Sequence, residues 1–192
     1  MVALCGTANA QRHIEFRWHG LYLTGDLAYG VNVNRALEEG AVIGDTLSAF
    51  MPTFTAGFQF RKEAGVGVGF SYIADPTGAY SQLPLFLELR SHYMRSRLTP
   101  YTVLQAGYSM PVGLSSTPNP VGNKIEEGGL YVGIEIGGRY AINRSSAIAV
   151  HATYRLLQSN KMLRSDINGT SMLAPPVVLH VVGGGVSFYF GN

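Results

Sequence analysis

Between Gly20 and Val33 the chain alternates. One phase reads Leu21, Leu23, Gly25, Leu27, Tyr29, Val31, Val33. The other reads Gly20, Tyr22, Thr24, Asp26, Ala28, Gly30, Asn32. A period of two marks a strand with unlike faces. The segment is far longer than the usual globular strand of roughly 5–6 residues. It exceeds the roughly 9–11 residues that a tilted strand needs to cross a bilayer.

The pattern recurs. A second strand is predicted over Thr53–Arg61, with Phe54, Ala56, Phe58 and Phe60 on one face. A third covers Ala64–Ala74, with Val66, Val68, Phe70 and Tyr72 against glycines. The fourth is Leu83–Tyr93, with leucines against Phe86, Glu88, Arg90 and His92. The fifth is Tyr101–Pro111, with Leu104, Ala106, Tyr108 and Met110 against Val103, Gln105, Gly107 and Ser109. The sixth, seventh and eighth are Gly129–Ile142, Ala147–Leu157 and Val177–Phe190. Connections after strands two, four and six are short. Those after one, three, five and seven are mostly longer and hold Pro, Asn, Gly and Ser. Short turns at one rim and long loops at the other predict an all-β, eight-stranded antiparallel up-and-down transmembrane β-barrel.

Alternation alone does not say which face is outside. Charge does. The lysines, Lys62, Lys124 and Lys161, all fall in turns or loops. Inside the strands, Asp26, Glu88, Arg90, Glu135, Arg139 and Arg155 all fall on the Gly-rich polar phase, three acids against three bases. An eight-stranded barrel is just wide enough for side chains to fill. Buried charges there must pair. The expected arrangement is therefore apolar out, with a filled lumen in which glycines leave room for the arginines. Glu135 and Arg139 are expected to share one network. Trp18, Tyr72, Tyr93, Tyr101, Tyr140 and Tyr154, on or near the apolar phase, suit interfacial girdles. A soluble ligand-binding barrel is the competing arrangement.

Composition agrees. Of 192 residues, 46% are hydrophobic and only 14% charged, against about a quarter charged in soluble domains. A net charge of +2 with no basic run gives no reason to expect nucleic acid as a partner. At the N-terminus, Ala8-Asn9-Ala10 has the small-x-small form of a signal-peptidase site. Residues 1–10 are read as the tail of a secretory signal and residues 11–192 as one barrel domain, with Gln11 first. Cys5, the single cysteine, would leave with the signal.

The pieces Phe54-Thr-Ala-Gly-Phe-Gln-Phe-Arg-Lys, Gly65-Val-Gly-Val-Gly-Phe, Leu83-Pro-Leu-Phe-Leu-Glu-Leu-Arg, Pro100-Tyr, Gln105-Ala-Gly-Tyr and Gly183-Gly-Gly-Val-Ser-Phe-Tyr-Phe resemble the small outer-membrane β-barrel family common in Bacteroidetes. The resemblance spans nearly all of residues 11–192. It implies location in the bacterial outer membrane, with the bilayer and lipopolysaccharide as surroundings. The last strand, ending in Phe190, looks like the signal read by barrel-assembly machinery, although Gly191 and Asn192 follow it. The family carries no common catalytic motif.

Candidate chemistry is sparse. His151, Thr153 and Glu135 supply the parts of a triad, as in barrels that hydrolyse lipid A. Thr153, however, points to the lumen. His92 sits near the short-turn rim, and His180 falls on the apolar phase. No histidine pair has metal-ligand spacing. Asp166-Ile-Asn168-Gly169 reads as a turn, and Gly65-Val-Gly-Val-Gly has neither the spacing nor the helix of a nucleotide loop. No cofactor or metal is expected. The expected role is a monomeric, non-enzymatic barrel whose outer loops contact surface ligands. A narrow pore and a lipid A hydrolase are the alternatives.

Overall fold

The computed structural model describes residues 19–33, 48–61, 63–74, 81–112, 123–165, 171–174 and 177–191. Trp18, the signal-like N-terminus and the Asp166 turn lie outside them. The strands are β1 (Gly20–Asn32), β2 (Ser48–Arg61), β3 (Ala64–Ser71), β4 (Gln82–His92), β5 (Leu98–Pro111), β6 (Asn123–Glu127), β7 (Gly129–Ala141), β8 (Ser146–Ser159), β9 (Lys161–Ser165), β10 (Ser171–Ala174) and β11 (Val177–Gly191). Eight of them close an antiparallel barrel in the order β1-β11-β8-β7-β5-β4-β3-β2. Strands adjacent in the barrel follow one another along the chain except at the β1–β11 seam, apart from the three short strands. Those three form a separate sheet, β10-β9-β6, in the segments expected to be loops.

The faces follow the alternation. Leu21 and Leu87 are 71% and 66% exposed, and the outward phase of every barrel strand carries similar apolar side chains. A protein in water rarely shows so large a continuous apolar surface. A transmembrane barrel turns that surface to hydrocarbon, so the molecule is embedded in a lipid bilayer. On this wall, Gly25 and Ala56 stand among Leu23, Phe54, Leu85 and Leu87 and leave a concavity of about 890 Å3.

Some strand ends differ from the sequence expectation. β2 begins at Ser48, not Thr53, and runs through Pro52. The carbonyl of Pro52 accepts from the Tyr72 amide at 2.9 Å, beyond the last regular β2–β3 pair, Thr53–Ser71. A missing N–H at that point interrupts little of the ladder. β5 likewise starts at Leu98 and includes Pro100. β3 ends at Ser71, and isolated bridges at Ile73 and Ala74 continue its pairing. Tyr101 is a correction of phase: it points inward and is fully buried, so it belongs to no girdle.

Candidate functional site: the polar lumen

All six strand-interior charges face the lumen and are buried. Five of them fall into one chain of contacts. Arg90 Nη2 lies 2.7 Å from Glu88 Oε1. Glu88 also accepts from Tyr22 Oη at 3.1 Å and Thr55 Oγ1 at 3.4 Å. The amide of Gln105 donates to Glu88 Oε2 at 3.5 Å and to Glu135 Oε1 at 3.3 Å, bridging two carboxylates. Tyr131 Oη donates to Gln105 Oε1 at 2.7 Å, which fixes the amide's orientation. Arg155 Nη2 then lies 3.5 Å from Glu135 and 3.6 Å from Asp26. Asp26 accepts from Ser187 Oγ at 2.9 Å. The path Arg90–Glu88–Gln105–Glu135–Arg155–Asp26 crosses the lumen without a break.

Glu135 and Arg139 were expected to share one network. The contacts of Glu135 are instead with Arg155 and Gln105. Four residues along one strand separate Cα atoms by roughly 13 Å, whereas Gly133 and Arg155 are direct cross-strand partners. Arg139 packs its guanidinium 5.3 Å from the Tyr189 ring centre. Arg90 lies between two rings, 4.9 Å from Tyr22 and 4.7 Å from Tyr189. A cation over an aromatic face is stabilised by the ring quadrupole.

The glycines make room, but not for arginine. A Cβ at Gly67 would stand 2.7 Å from Tyr22 Oη. One at Gly69 would meet Phe86 at 2.8 Å, and one at Gly133 would meet Tyr131 Oη at 2.9 Å. The side chains nearest the lumen glycines include Tyr22, Phe86, Tyr131, Gln59, Gln105 and His151.

His151, Thr153 and Glu135 all point inward. Thr153 is the cross-strand partner of Glu135 and accepts from Arg155 Nε at 3.4 Å. The hydroxyl that meets His151 is a different one: Ser187 Oγ lies 3.3 Å from Nδ1, while Nε2 lies 3.5 Å from Asp26 Oδ1. Ser187 and Asp26 were legible only as polar-phase residues, because strand pairing sets their proximity. Asp26, Glu135 and His151 offer ligand atoms within 4.8 Å of one another. Arg155 already supplies the positive charge between the two carboxylates, so a metal ion would have to displace it. His92 is buried against Tyr101, with ring centres 6.0 Å apart. His180 sits on the outer wall, and Tyr154 Oη, 2.5 Å from its Nδ1, satisfies it there.

Buried apolar side chains flank this chain of contacts toward both ends of the barrel. At the long-connection end are Met51, Ile73, Phe86, Leu157, Leu179 and Val181. At the short-turn end are Tyr101, Val103, Ala147, Ala149 and Tyr189. Tyr101 and Tyr189 meet edge to face at 6.1 Å.

No protein-family model and no curated protein matches the chain. Solved structures do. Neisserial surface protein A (NspA) is similar with a TM-score of 0.63 at 10% identity, over 90% of this chain and 97% of that one. The outer membrane protein OprG from Pseudomonas aeruginosa is similar with a TM-score of 0.58 at 17% identity, over 93% and 100%. At these identities the likeness is one of fold.

Proposed function

We propose that this chain is a non-enzymatic integral barrel of the bacterial outer membrane, of the Bacteroidetes type that its sequence resembles, with a lumen that does not conduct. The observation that carries the reading is the unbroken side-chain path through the lumen, flanked on each side by a buried apolar cluster. An ion entering would have to break paired charges and pass the buried side chains packed on either side of them. The same burial argues against hydrolysis of lipid A. His151 and Ser187 are both enclosed, and an ester of a membrane lipid has no route to them. The outer-membrane assignment draws support from the lipid-facing wall and from the outer-membrane and surface-protein descriptions of the similar structures. What remains for function is the long-connection end, where β6, β9 and β10 offer a small sheet for contact with surface ligands. Phe190, outward-facing in the last strand, is the residue we assign to recognition by barrel-assembly machinery.

Conductance tests this reading. Pure refolded protein in a planar bilayer should give traces no different from lipid alone. Reproducible steps of one amplitude would establish the narrow pore in its place.

A further inference from the structure

Charge is distributed unevenly along the barrel axis. The strand interiors are balanced, three against three. The four long connections, 33–47, 72–81, 112–128 and 160–176, hold four cations, Arg35, Lys124, Lys161 and Arg164, against seven anions. The short turns hold Arg61, Lys62, Arg95, Arg97 and Arg144 against Glu63 alone. Among the described residues of that rim, Arg61, Arg95, Arg97 and Arg144 are all exposed, and they come from three different turns. They therefore ring the barrel rather than mark one side of it.

Aromatic residues stand beside them. Tyr93 and Tyr140 are exposed on the outer wall next to these turns, as is Phe60. Aromatic rings of this kind settle at the headgroup level of a bilayer. Arg97 lies 4.7 Å over the Tyr140 ring and donates from Nε to the Ala141 carbonyl at 3.1 Å. That pairing ties a cation to the depth of the girdle. A belt of guanidinium groups at headgroup depth matches phosphate groups in charge and in hydrogen-bond geometry.

We propose that the short-turn rim is a collar that binds the phosphate groups of anionic phospholipids of the phosphatidylglycerol class in the leaflet it touches. This rests on the membrane reading above. It also reverses the simplest expectation for lipopolysaccharide, whose phosphates would meet the long-connection end, where acids outnumber bases. Each cation near an anionic bilayer surface is worth about fivefold in association.

The test places the refolded full chain in phosphatidylcholine vesicles and reads, by electron spin resonance, the motionally restricted fraction of spin-labelled phosphatidylglycerol or phosphatidylcholine. Heat-modifiable gel mobility reports folding. The wild type should restrict phosphatidylglycerol several-fold more than phosphatidylcholine, and 1 M salt should remove the difference. In R61Q/R95Q/R144Q the preference should fall toward parity, while R61K/R95K/R144K should keep most of it. Arg97 is left in place because it also braces a turn. Parity in the wild type overturns the collar, as does a preference that survives both salt and the glutamine substitutions. If neither label is restricted, the chain has not entered the bilayer, and the membrane reading falls along with the collar. Should the glutamine variant fail to fold, the salt arm and the lysine variant still decide.

Discussion

Arg155 holds two carboxylates at once, Asp26 and Glu135, with no exposure to solvent. Removing one member of such a group leaves uncompensated charge, at a cost of about 3–5 kcal/mol. Arg155→Leu should lose that much in urea unfolding of the folded barrel. Glu135→Leu should lose less, because Asp26 remains for the arginine. The double variant should lose clearly less than the sum of the two, and additive losses would show that the residues are not coupled. Packing is equally local. Gly67→Ala drives a methyl against Tyr22 Oη and should cost about 1–3 kcal/mol. In a Tyr22→Phe background the same change should cost measurably less by the same unfolding assay. The inward direction of Asp26, Glu88, Arg90, Glu135, Arg139 and Arg155 was legible from the phase of each strand. Which acid meets which base was not. Phase is a property of one strand, whereas Glu135 finds Arg155 through the β7–β8 register. Gln105, the bridge between Glu88 and Glu135, gave no signal beyond being polar on the inward phase.

A barrel strand here is a two-sided object, and each side answers to a different solvent. Leu87, at the middle of β4, faces outward. Leu87→Arg at the bilayer midplane should cost about 2–4 kcal/mol when unfolding from lipid vesicles is measured. In a soluble barrel the same exposed substitution would stay within roughly 0.5 kcal/mol, so the measurement separates the two architectures. The long alternating strands were legible almost throughout, because a run of ten or more residues leaves little ambiguity of period. Their ends were less so. β2 starts five residues earlier than expected and runs through Pro52, and β5 starts three residues earlier and runs through Pro100. β6, β9 and β10 have five, five and four residues, too few for alternation to stand out from loop composition. Tyr101 was assigned to the wrong face because an aromatic at a strand end fits a girdle as readily as a lumen stack.

At the scale of the molecule, the lumen and the wall exchange the roles they have in a soluble protein. Polar contacts form the interior, and lipid supplies the apolar environment outside. Closure removes every sheet edge of the barrel, and it is achieved by pairing the first strand with the last. The hydrogen bond from Ser187 to Asp26 spans that seam across 161 positions of sequence. Pairings this distant make folding slow. Until β11 arrives, β1 is an open edge and the apolar wall has no shelter, which is an invitation to aggregate. The seam also carries its own proofreading. Asp26 stands opposite Ser187, with Gly185 and Tyr189 two places to either side. A slip of two residues would keep the backbone hydrogen bonds of the ladder's interior but take Ser187 away from the carboxylate that it serves. Backbone pairing alone therefore does not set the alignment of closure; the buried charge at Asp26 adds a reason for the observed one.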